Sequence, residues 1–266
     1  MSARWEQRRN AWLLAALALV LAGATGCRHR HAAYRPPPQA LPPAALPQTA
    51  GNYPEYTPTR PAPIPITPVP PGGVSAADLD YVATHRPILT EEGLATWYTA
   101  PYGRRAANGE LFKNSAFTAA NRTLPMGSLV VVTNLRTGQS SAMRITDRGP
   151  FVEGRIVDLT IASARATGVY REGLARVRLD VYETPKPIWT GGRWCVQIGA
   201  FTSERKAVDF KRQLVRRYPR ANVIEFSGEK SYWVRIRPEG DNRAMAEWLA
   251  GHLRPSQGEP YLTRLD

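Results

Sequence analysis

The chain has 266 residues, with 24 prolines, 21 glycines and two cysteines, and its 35 Lys and Arg outnumber its 22 Asp and Glu to leave a net charge of +13. Two cysteines exclude a disulfide-stapled scaffold, so each folded part must be held by its own core. The charge balance suits an anionic partner, with cell wall, lipid head groups and nucleic acid as the broad classes.

Taken from the start, Arg4, Arg8 and Arg9 precede an uncharged run from Ala11 to Ala22. That run has the length of a signal-peptide core and is too short to span a bilayer. It ends in Ala24-Thr25-Gly26-Cys27, which resembles a bacterial lipoprotein cleavage site. The expectation is a signal over residues 1–26 and a mature chain beginning at a lipidated Cys27, whose acyl chains anchor it to a membrane. Arg28 rather than Asp after the cysteine resembles the sorting signal for the outer membrane, facing the periplasm. Such a leader argues against nucleic acid as the partner. A Cys27–Cys195 disulfide is the alternative use of the two thiols. Residues 27–86 are then read as a tether, since Pro, Ala, Thr and Gln dominate up to residue 75 and no hydrophobic period survives.

Residues 87–184 carry short β-rich runs with turn residues between them: Leu94–Tyr98, Ser128–Thr133, Ser140–Thr146 and Val177–Tyr182. The run 129–133 is apolar on both faces and is placed centrally. Only Ala162–Gly168 reads as helix, with Gly168 as its stop. The pattern predicts a small all-β barrel. Asp147 ends one run just before Gly149-Pro150, on a rigid strand end, and Glu110 closes the turn Ala107-Asn108-Gly109-Glu110. Two acids so placed are what acid-base chemistry on a sugar bond requires, with no cofactor or metal. The alternative is that both acids merely cap turns.

Ordered blocks extend across this segment: Gly93-Leu94-Ala95-Thr96-Trp97-Tyr98, Ala107-Asn108-Gly109-Glu110-Leu111-Phe112, Phe117-Thr118-Ala119-Ala120, Thr123-Leu124-Pro125-Met126-Gly127, Val132-Thr133-Asn134-Leu135, Asp147-Arg148-Gly149-Pro150-Phe151 and Gly154-Arg155-Ile156-Val157-Asp158-Leu159. Together they resemble the rare lipoprotein A (RlpA) family of envelope lipoproteins. That resemblance implies a six-stranded double-psi β-barrel. It also implies endolytic peptidoglycan lytic transglycosylase activity, cutting between N-acetylmuramic acid and N-acetylglucosamine to leave a 1,6-anhydro end. By the family match Asp147 is the catalytic acid/base and Glu110 the second important acid. Tyr98, Asn108, Asn121 and Arg148 are the substrate-binding candidates beside them. Asp158 reads as a buried structural acid paired with Arg148 or Arg155. Three positions depart from the family pattern: Asn121 stands where His is usual, Lys113 where an acid is frequent, and Ala106 where Thr is usual. These departures keep binding without cleavage as the alternative.

After a break at 185–192, residues 193–266 read strand, helix, strand, strand, helix, strand. Trp194–Phe201 is the first strand, and Ser203 caps a helix with Ala207, Phe210, Leu214 and Val215 inward. Strands follow at Val223–Phe226 and Tyr232–Ile236. Asp241 opens a second helix with Met245, Trp248, Leu249 and Leu253 inward, and Pro260–Arg264 is the last strand. The order is an α+β, ferredoxin-like βαββαβ unit. Val196-Gln197-Ile198-Gly199-Ala200-Phe201 and Trp233-Val234-Arg235-Ile236 resemble a SPOR domain, which implies binding to peptide-stripped septal glycan, with division proteins as further partners. Strand parity turns Val196, Ile198, Val234 and Ile236 toward the helices, and Cys195, Gln197, Trp233 and Arg235 away from them. Gln197, Trp233 and Arg235 are therefore expected on an open glycan-binding face, the alternative being an edge Trp covered by the tail.

Overall fold

A computed structural model describes residues 73–228 and 231–266. The leader, Cys27 and the Pro-rich stretch through residue 72 lie outside the described residues. The first element, α1 (Ala76–Thr84), falls inside the stretch expected to be tether. Its sequence explains it: Ser75 Oγ accepts from Asp78 N at 3.2 Å, and the Asp78 carboxylate accepts from Ser75 N at 2.8 Å, a reciprocal cap of the first turn. Val82 is buried against the barrel, and Arg144 pairs with Asp78 at 2.5 Å. The folded part thus begins well before residue 87.

The barrel is built from β1 (Leu89–Trp97), β2 (Thr118–Ala120), β3 (Leu129–Asn134), β4 (Ser140–Asp147), β5 (Arg155–Leu159) and β6 (Ala175–Glu183). Around the closed wall the order is β1-β5-β2-β4-β3-β6. The pairs β1/β5 and β2/β4 are parallel and the others antiparallel, giving a six-stranded double-psi barrel. Every residue of β3 is buried, as its two-sided apolar pattern requires. The helix read from the sequence is α2 (Ile161–Ala166), capped by Thr160. It stops where Gly168 turns left-handed at φ +75°, and the short α3 (Val169–Glu172) follows.

The second domain contains β7 (Trp194–Phe201), α4 (Glu204–Arg217), β8 (Asn222–Ser227), β9 (Tyr232–Arg237), α5 (Arg243–His252) and β10 (Glu259–Arg264). Its antiparallel sheet has the order β10-β7-β9-β8. Trp194, Val196, Ile198, Val234 and Ile236 share a core with Phe210, Leu214 and Leu249 of the two helices. Two expectations fail. Val215 is exposed, because the 3.6-residue period carries it past the face defined by Ala207, Phe210 and Leu214. Asn242 caps α5, accepting from Met245 N at 3.0 Å, whereas Asp241 is drawn into a bidentate ion pair with Arg237 at 2.8 and 2.7 Å.

Candidate functional site

Register assembles the acids. In the barrel wall Ala120 of β2 pairs with Asp147 on one side and with Asp158 on the other, so two carboxylates flank one small residue across three strands. Asp147 is only 3% exposed. Its Oδ1 accepts from Ala107 N at 3.1 Å and Arg148 N at 2.9 Å. Its Oδ2 accepts from Tyr98 Oη and from Arg104 Nη2, both at 3.3 Å. Both oxygens are therefore engaged. Burial raises the Tyr98 phenol above its ordinary value and the Asp147 carboxylate adds to that, so Tyr98 remains a donor.

Glu110 belongs to a tight turn stitched onto the same strand end. Ala106 N donates to Glu110 O at 2.8 Å, the Asn108 side chain accepts from Glu110 N at 3.0 Å, and Gly109 supplies the turn at φ +91°. Asn108 N then donates to Thr146 O at 3.0 Å, the residue before Asp147. The Glu110 side chain is exposed and lines a groove of about 520 Å³ that also takes in Asn108, Phe112, Lys113, Thr118 and Thr146. Lys113 places a cation in that groove where the family pattern has an acid.

Three expected site residues have other employment. Asn121 is 3% exposed; its amide donates to Ile156 O at 3.0 Å and its oxygen accepts from Thr123 N and Leu124 N at 2.9 and 2.8 Å. It closes a barrel turn from a buried position, with one amide N–H left over for the sugar contact expected of it. Arg148 donates to the carbonyls of Asn121, Leu124 and Asp266 at 3.1, 2.7 and 2.8 Å, so it ties the barrel to the segment that follows β10. Asn108 spends its side-chain oxygen on its own turn. Asp158 is paired with Arg155 at 2.9 Å, one of the two expected partners. Burial raises its carboxyl to about 6 against the pull of Arg155, and its Oδ1 has no partner. Arg104, which touches Asp147, was not singled out from the sequence; its only signal was the Arg104-Arg105 doublet beside Tyr102-Gly103.

Parity in the second sheet holds, but the face it identifies is not open. Cys195 and Gln197 stand on the side away from the helices and yet are 0% and 5% exposed. Arg235 spends one donor on Gln197 Oε1 at 2.9 Å and lies over the Phe226 ring. The covering group is the barrel loop that follows Asp147. Phe151 packs on Trp233 with ring centroids 5.4 Å apart and on Tyr261 at 5.9 Å. Arg122 lies over Tyr261 and donates to Pro150 O at 2.9 Å, while Arg264 N donates to Arg122 O at 2.8 Å. Strand alternation cannot foresee the barrel covering the outward face of this sheet.

Residues 90–179 match the family model described as lytic transglycolase, and residues 190–264 match the SPOR domain model. Among named relatives, the probable endolytic peptidoglycan transglycosylase RlpA of Synechocystis sp. is 53% identical over 92 residues, 34% of this chain and 29% of that protein. The RlpA protein of Vibrio cholerae is 46% identical over 100 residues, 37% of this chain and 38% of that one. The Neisseria meningitidis serogroup B protein is 34% identical over 166 residues, 60% of this chain and 70% of that protein. The chain thus spans under half the length of the first two of these relatives.

Proposed function

Since the chain belongs to the RlpA family, we propose that it is an endolytic peptidoglycan lytic transglycosylase acting on peptide-stripped glycan at the division septum. The observation that carries this reading is the strand end where Tyr98, Arg104 and the Ala106–Glu110 turn converge on Asp147 beside a groove. Asp147 would protonate the oxygen leaving the muramic C1. The carboxylate so formed would take the proton of the sugar's own 6-hydroxyl as that oxygen closes on C1, so no water is consumed. Tyr98 and Arg104 orient the carboxyl, and Glu110 faces positive charge developing on the ring. The SPOR domain holds the glycan, and a lipid on Cys27 keeps the exported enzyme at the outer membrane, facing the periplasm.

Two observations favour the second reading, a wall-binding lipoprotein that does not cut: Asp147 is almost fully buried with both oxygens engaged, and Asn121 and Lys113 replace residues usual beside it. The experiment is incubation of the protein with sacculi lacking stem peptides. Release of 1,6-anhydro-ended fragments, abolished in Asp147→Asn, supports cleavage. Sedimentation with sacculi and no soluble product establishes binding alone, and reducing ends establish hydrolysis instead.

A further inference from the structure

The sheet face that the second domain turns away from its helices is the one on which the barrel loop Arg148–Phe151 lies. Trp233 is its large flat aromatic surface, backed by Gly199, where a side chain would collide with the ring. The groups packed on this face are those of a sugar subsite: an indole, a phenol at Tyr261, the Gln197 amide and the Arg235 guanidinium. Phe151 occupies it with a six-membered ring in tilted contact with both Trp233 and Tyr261, its centroid 5.4 and 5.9 Å from theirs. Polar bonds lock the same contact, from Arg148 to Asp266 O and from Arg122 to Pro150 O. Arg148 and Pro150 also directly follow the strand end that carries Asp147, so whatever displaces this loop acts on the proposed catalytic carboxyl as well.

We infer that the barrel loop and a pyranose ring of the glycan compete for the Trp233–Tyr261 face, so that this arrangement is a closed state which glycan opens. The inference rests on the reading that this face takes glycan. Engagement of a strand then frees the loop beside Asp147, which couples attachment of the second domain to access at the barrel.

The test uses the full chain and soluble denuded glycan oligosaccharides. Affinity is measured by calorimetry, and exposure of Cys195 by its alkylation rate without glycan, read by peptide mass. Phe151→Ala removes the competing ring, and Arg122→Ala loosens the loop from a separate position. Both are expected to alkylate Cys195 faster and to bind glycan several-fold to roughly tenfold more tightly. Weaker or unchanged glycan binding in Phe151→Ala overturns the competition, as does unchanged Cys195 alkylation in both variants. Trp233→Ala separates the underlying reading: if it binds glycan as well as the parent, this face is not the glycan site and the inference falls with that reading. If Trp233→Ala loses binding while Phe151→Ala gains none, only the competition falls.

Discussion

Tyr98 Oη donates to Asp147 Oδ2 at 3.3 Å although β1, which Tyr98 directly follows, and β4, which Asp147 ends, are separated in the barrel wall by β5 and β2. The phenol reaches over two strands to the carboxyl and fixes one of its two oxygens. Tyr98→Phe keeps the ring and removes this bond. Stability is expected to change by about 1 kcal/mol or less, and turnover of denuded glycan to fall several-fold to roughly tenfold. Unaltered turnover would show that the phenol does not orient Asp147.

Asn121 is expected to matter for folding rather than for sugar contact. Its side chain satisfies two backbone donors and one carbonyl inside the barrel. Asn121→Ala orphans those groups and should destabilise the barrel by about 1–3 kcal/mol, seen as a lower urea midpoint. Glycan affinity should be unchanged wherever the variant is folded.

The carboxyl of Asp158 is pushed by burial from 3.8 to about 6. The folded state therefore holds this proton more tightly than the unfolded chain does. The group costs nothing while both states are protonated, below about pH 4, and its full cost, at most roughly 3 kcal/mol, is present above about pH 6. Stability should accordingly contain a component that falls between those limits and is missing in Asp158→Asn. Denaturation midpoints measured from pH 4 to 7 on both proteins check this, and parallel profiles would refute it.

A methyl group at Gly199 would stand 2.5 Å from the Trp233 ring. Gly199→Ala forces the indole off its seat, so the second domain should lose about 1–3 kcal/mol of stability. Thermal unfolding monitored by near-ultraviolet dichroism reads the loss directly.

The candidate site was legible where the chemistry is local. Glu110 closes a turn that its own Asn-Gly dictates, and Asp147 ends a strand before Gly-Pro, so both could be placed without coordinates. The backbone partners of Asn121 are not legible in the sequence, because its amide meets a distant carbonyl, that of Ile156. Arg104 is not legible in the sequence, because a loop arginine gives no periodic signal and only folding carries its guanidinium to Asp147.

By itself the sequence determined four of the six barrel strands, the βαββαβ order and which way the residues of β7 and β9 point. These follow from period-2 and period-3.6 burial and from turn chemistry, both properties of neighbours along the chain. Only the tertiary structure decided that α1 belongs to the folded part, that Asp147 and Asp158 flank Ala120, and that Phe151 covers Trp233. Those relationships join residues far apart in the chain. They are set by which surfaces meet, and alternation along one strand names a face without saying what lies against it.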